Sequence, residues 1–108
     1  MKKYKLGKCQ KTGLEGARVW IENRKAAEYG FVPGSVFVCE EANGKFLIKL
    51  CLLEDDDIVW GEPHTVSSKG DKSVIDLTGY WVKDIFDGYS HYSVSYEQGV
   101  IKLGGANE

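Results

Sequence analysis

The sequence predicts an α+β, mainly β protein: two strand-helix-hairpin units in one chain, forming an intrachain pseudo-dimer with a small barrel-like sheet. Three observations carry this. The tripeptide Ile-Lys-Leu occurs twice, at 48–50 and 101–103. A step of 54 residues takes Gly16 to Gly70 and places Arg18 on Lys72, Ile21 on Ile75, Glu22 on Asp76 and Gly34 on Gly88; one residue of adjustment then aligns Ile48-Lys49-Leu50 with Ile101-Lys102-Leu103. A unit of about 35 residues cannot bury both sides of its own hairpin, whereas two packed together can.

In the first copy the pattern predicts a strand over 18–21, a helix of about two turns over 22–29 and a stop at Gly30, which suits the left-handed position after a helix. A Pro33-Gly34 turn, a strand over 35–40, an Asn43-Gly44 turn and a strand over 46–50 follow, Asn-Gly being the strongest short hairpin signal. The second copy predicts a strand over 73–76 and a helix from an N-cap at Thr78 to Phe86. Its apolar stripe comes from the i,i+4 pairs Trp81 with Ile85 and Val82 with Phe86. A turn at Asp87-Gly88 leads to strands over 90–96 and 100–103. In the first of these Tyr92, Val94 and Tyr96 alternate with His91, Ser93 and Ser95, the period of a half-buried strand.

With 108 residues, 43% hydrophobic and 28% charged, the chain is one ordered domain's worth of material. The expected organisation is a single domain over 1–108, with a first unit at 16–50, an acidic connector at 51–64 and a second unit at 65–103. No run approaches the roughly 18 apolar residues that span a bilayer, and no signal segment opens the chain, so a cytoplasmic location without membrane contact is expected. Cys9, Cys39 and Cys51 are odd in number and never form a Cys-x-x-Cys pair. They read as reduced thiols, Cys39 and Cys51 being small core residues.

Charge is unevenly spread. Residues 1–25 hold eight Lys/Arg against two Glu, a balance of +6, while residues 26–108 hold six against fourteen, a balance of −8. Four consecutive carboxylates, Glu54 to Asp57, sit in the connector, with Ile58, Val59 and Trp60 expected to anchor it on the core. They lack the spacing of a Ca²⁺ loop and read as solvated, with phosphate mimicry toward a basic protein as the sharper alternative.

The order strand, short helix, Gly30-Phe31-Val32-Pro33-Gly34 turn, strand, Asn43-Gly44-Lys45 turn, strand resembles the AbrB-like swapped-hairpin family, which includes MazE-type antitoxins. In the second copy Thr65-Val66-Ser67-Ser68-Lys69-Gly70 is similar to the loop before that family's first strand. Arg18-Val19-Trp20-Ile21 through Pro33-Gly34 looks like the SymE-like branch, associated with RNA cleavage. The joint pattern with Val74-Ile75-Asp76-Leu77 is similar to modules carried by phage-type cytosine methyltransferases, although no Pro-Cys motif or Gly-rich cofactor loop is present. Two copies in one chain resemble MraZ proteins, yet the Asp-x-x-x-Arg pair of those proteins is not evident.

The resemblance implies DNA binding through basic side chains opposite the helices. Arg18 and Lys72 would face the ligand symmetrically, and Lys8, Lys11, Arg24, Lys25 and Lys69 would extend the surface. The plainer alternative is a solvated charged face. Trp20, Trp60, Trp81, Tyr89, Tyr92 and Tyr96 are either base-stacking groups or core, Trp81 at least being core. His64 and His91 have no nucleophile or metal pattern beside them, so no catalytic residue, metal or cofactor is expected. The function expected is therefore a non-enzymatic nucleic-acid-binding regulator, of the kind phages and mobile elements carry, with DNA or RNA as partner. The alternatives are a protein-binding inhibitor of host defence that engages a basic bacterial protein, and a SymE-like RNA-cleaving toxin. Further homodimerisation stays open.

Overall fold

The computed structural model describes residues 3–42, 45–50 and 60–107, with backbone alone at 41, 42, 45, 49 and 60–62. The expected Asn43-Gly44 turn, Cys51, the acidic block at 54–57, Ile58 and Val59 lie outside the described residues, as does the side chain of Trp60. The elements are β1 (Lys3–Lys5), β2 (Gly7–Cys9), β3 (Leu14–Asn23), α1 (Lys25–Glu28), β4 (Val36–Ala42), β5 (Lys45–Leu50), β6 (Trp60–Thr65), β7 (Ser67–Lys69), β8 (Lys72–Thr78), α2 (Tyr80–Ile85), β9 (His91–Glu97) and β10 (Val100–Ala106). They form a six-stranded sheet in the order β1-β9-β10-β5-β4-β6 and a four-stranded sheet in the order β2-β3-β8-β7. Every pairing is antiparallel.

Mainly β architecture is therefore as expected, but the barrel-like closure is not. The edge strands β1 and β6 of the larger sheet do not meet, and neither do β2 and β7 of the smaller one. The chain instead changes sheets at single residues. Leu6 carries it from β1 to β2 and Val66 from β6 to β7, each buried at the corner. The Leu6 amide donates to the Ser90 carbonyl (3.0 Å) and the Val66 amide to the Ser35 carbonyl (2.8 Å), so the two corners are held alike.

That likeness runs through the whole topology. Replacing β1 to β5 by β6 to β10, and the reverse, turns each strand order into its own mirror. The register is stricter still. Ile21 lies directly opposite Ile75 in the β3–β8 ladder, and Ile48 directly opposite Ile101 in the β5–β10 ladder. Each is the residue that the repeat pairs with it. A two-fold relation between units requires such self-pairing at the points where its axis crosses a sheet, because one residue slipped would reverse every inward side chain. The doubled Ile-Lys-Leu thus marks the centre of the larger sheet.

Between the sheets lies one core. Val19, Ile21, Ile75 and Leu77 face inward from the smaller sheet; Phe37, Cys39, Phe46, Ile48, Tyr92, Ile101 and Leu103 come from the larger, closed by Ala26 and Val82 of the helices and by Phe31 and Phe86 just after them. Phe31 meets Phe37 edge-on at 6.5 Å, and Phe86 meets Tyr92 at 6.4 Å, a like contact in the second half one residue out of step with the offset of 54. Full burial of such side chains contributes roughly 1.5–3 kcal/mol each.

Both helices are shorter than their patterns predict, for one reason. The β3–β8 ladder runs from Arg18 opposite Thr78 to Asn23 opposite Ser73 and keeps both flanks extended. In the first copy the helix shrinks to Lys25–Glu28, with the Ala26 amide donating to Asn23 Oδ1 at 2.9 Å, and Gly30 at φ 101 ends the segment. In the second, Thr78 is a strand residue rather than the N-cap. Gly79 takes the cap position at φ 132, its amide donating to the Ala17 carbonyl at 3.1 Å, a backbone conformation suited to glycine. Trp81 is half-buried against the core beside Phe46 and His64.

Candidate nucleic-acid interface

Alternation along β3 buries Ala17, Val19 and Ile21 and turns Arg18, Trp20 and Glu22 outward; on β8, Lys72 and Asp76 point the same way. With Ile21 and Ile75 opposite one another, a cation three residues before each isoleucine falls diagonally across from the acid one residue after the other. Arg18 accordingly donates from Nε and Nη2 to the two carboxylate oxygens of Asp76 (3.0 and 3.2 Å). Lys72 Nζ stands 3.7 Å from Glu22 Oε2, the corresponding pair in the other half. The repeat predicted the cations and anions of both copies, and the antiparallel seam brings them together.

The remaining predicted residues divide. Lys69 Nζ also approaches Glu22, at 3.5 Å, and Arg24 forms an ion pair with Asp71. Lys25 Nζ lies 5.1 Å from the centre of the Tyr96 ring. Lys11 is exposed in the turn between β2 and β3. Arg18, Lys72, Lys69 and Arg24 thus each stand beside a carboxylate, three carboxylates among four cations because Lys69 and Lys72 share Glu22. These pairs are solvent-facing, so each contributes no more than about 1 kcal/mol to stability, but each also lowers the positive potential available to a phosphate.

A different surface opens where β1 and β9 of the larger sheet meet the start of β3. A groove of about 530 Å³ is lined by Tyr4, Lys5, Gly7, Lys8, Gln10, Arg18, Trp20 and Tyr92. A second, of about 320 Å³, adjoins it through Tyr4, Trp20 and Tyr92 and adds Ile21, Glu22, Asn23, Val94 and Tyr96. Tyr4 stacks on Tyr92 at 5.7 Å between ring centres, and the Arg18 guanidinium lies 4.7 Å from the centre of the Trp20 ring. Trp20 and Tyr4 remain 40% and 43% exposed.

Its floor is fixed. The Tyr92 hydroxyl donates to the Trp20 carbonyl at 2.8 Å, tying β9 to β3, and Asn23 Nδ2 donates to the Tyr96 hydroxyl at 2.9 Å. Burial pushes the Tyr92 phenol up to about 12, and burial likewise raises Tyr96, so both stay neutral and present no anion to a phosphate. Among the described residues neither Lys5 nor Lys8 forms an ion pair with a carboxylate. Glu15 faces Lys8 in the ladder without joining it.

Sequence reasoning passed over Tyr4, Lys5 and Gln10, and treated Lys8 as peripheral. The available signal was Lys3-Tyr4-Lys5 inside the +6 segment: an aromatic between cations, too short to show strand periodicity. Of the histidines, His64 stacks on Phe37 at 5.3 Å, and His91 Nδ1 lies 2.7 Å from Ser90 Oγ. Among the described residues no group of three His, Cys, Asp or Glu could hold a metal ion, and no helix is long and apolar enough to cross a membrane. Comparison with protein-family models, curated proteins and solved structures finds no match.

Proposed function

We propose that this chain is a small non-enzymatic nucleic-acid-binding regulator, two AbrB-like units interleaved as an intrachain pseudo-dimer, that holds its ligand in the β1–β3–β9 groove. One observation carries the reading: Lys5 and Lys8, beside the Asp76-paired Arg18, line a groove whose exposed rings are Trp20 and Tyr4. Basic side chains beside aromatic faces are the combination that nucleic acid uses, phosphate against cation and base against ring. Self-pairing of Ile21 with Ile75 and Ile48 with Ile101 supports the pseudo-dimer, as does the exchange of edge strands, β1 joining the second hairpin and β6 the first.

A formal net charge of −2 does not oppose this. At physiological salt the Debye length is about 8 Å, and the molecule measures 35 × 31 × 29 Å, so carboxylates on remote faces are largely screened from the groove. The reading as an inhibitor that engages a basic bacterial protein draws on the −8 balance of residues 26–108 and on exposed aromatics, and its acidic block at 54–57 lies outside the described residues. Nucleic acid is the better supported partner.

The test is fluorescence anisotropy with labelled DNA and RNA, single-stranded and duplex, at rising salt. Affinity should fall steeply as salt rises. Absence of salt-dependent binding to any of the four would overturn the proposal.

A further inference from the structure

Resting on that reading, we infer that the groove takes unpaired bases, so that the ligand is a single strand or a looped-out segment rather than a continuous duplex. In a duplex the base faces are stacked on one another and only edges and phosphates reach a protein. An exposed aromatic face meets a base face there only where a step is unstacked, at a cost in stacking energy that an unpaired base does not carry. Here the groove has two contiguous halves of different chemistry. Lys5, Lys8 and Arg18 line one; Tyr96, Val94 and Asn23 line the other. Tyr4, Trp20 and Tyr92 belong to both; Tyr4 and Trp20 form the platform between them, with the buried Tyr92 beneath Tyr4. A phosphate held in the basic half brings its own base onto that platform.

A second, independent observation concerns symmetry. Around the two-fold relation Tyr4 corresponds to His64, Lys5 to Thr65 and Trp20 to Val74. The ring stack survives, His64 on Phe37 at 5.3 Å answering Tyr4 on Tyr92 at 5.7 Å. The exposed tryptophan and the lysine do not, Val74 being 5% exposed against 40% for Trp20. A duplex straddling the pseudo-axis would call for the surface twice. A single strand needs it once, and one strand should bind per chain.

The experiment compares a labelled mixed-sequence twelve-nucleotide single strand with the same sequence as a blunt duplex, using the full chain. Single-strand binding should be at least about tenfold tighter. Trp20→Ala should lose roughly five- to hundredfold on the single strand, whereas Trp20→Phe should keep most of the affinity. As a measurement that needs no variant, NMR titration of the unsubstituted chain with the single strand should shift the Trp20 indole and the Tyr4 ring ahead of Lys69 and Lys72. Equal affinity for the duplex with indifference to Trp20→Ala, or shifts confined to the Lys69–Lys72 face, would overturn this inference and leave nucleic-acid binding standing. No binding of either probe would remove both.

Discussion

The β3–β8 seam and the β1–β3–β9 groove share a strand and several side chains, yet they use charge in opposite ways. Along the seam Arg18 meets Asp76 and Lys72 meets Glu22, each pair built from one residue of either unit. Those charges are directed at the protein itself. In the groove Lys5 and Lys8 stand beside open rings without an ion-pair partner among the described residues. The difference teaches that the repeat points to where the two halves of the chain are joined more readily than to the groove. The proposed ligand surface stands on Lys5 and Trp20, where the other half has Thr65 and Val74.

Removing the axial side chains is the strongest challenge to that contrast. Ile48→Ala and Ile101→Ala, both fully buried and opposite one another, should each lose about 2–5 kcal/mol of unfolding free energy by denaturant titration, and by similar amounts. Markedly unequal losses would break the two-fold description of the core.

Alkaline pH should weaken the floor of the groove next. The Tyr92 phenol rises from 10.0 in the unfolded chain to about 12, and the buried Cys39 thiol from 9.0 to about 12. Each neutral form is favoured by folding. Their contribution is therefore complete below pH 9 and is lost as the pH rises toward 12. Tyr92→Phe should flatten the part of that decline above pH 10; an unchanged profile would mean that Tyr92 is not the group responsible.

The smallest effect sharpens the comparison most. Asp76→Asn releases Arg18, which already lines the groove, from its bidentate partner. Stability should fall by less than about 1 kcal/mol while affinity for nucleic acid rises modestly, measured by thermal unfolding and anisotropy on the same sample. Weaker binding would show that Asp76 orients Arg18 for the ligand rather than competing with it.

Legibility in the sequence followed the same division. The offset of 54 residues matched Ile21 with Ile75, and the doubled Ile-Lys-Leu matched Ile48 with Ile101; that the matched residues face one another across a ladder came from the structure. From that alignment the seam ion pairs were already implicit: once Ile21 opposes Ile75, Arg18 can only stand near Asp76. The strands β1 and β2 were not legible. Lys3–Lys5 has no buried residue and its partner β9 lies far along the chain, so neither periodicity nor a turn marks it. The groove depends on that pairing and was lost with it. Helix lengths failed for a related reason, since the ladder between the copies overrides local helix preference at Glu22, Asn23 and Thr78.

The central claim is tested most directly by the slope of log affinity against log salt for a single-stranded probe, compared across two double variants. Lys5→Ala with Lys8→Ala should reduce the magnitude of the slope by about 0.7 for every phosphate that a lysine no longer neutralises, while Lys69→Ala with Lys72→Ala should leave it nearly unchanged. The reverse pattern, a slope carried by Lys69 and Lys72 and indifferent to Lys5 and Lys8, would contradict the account.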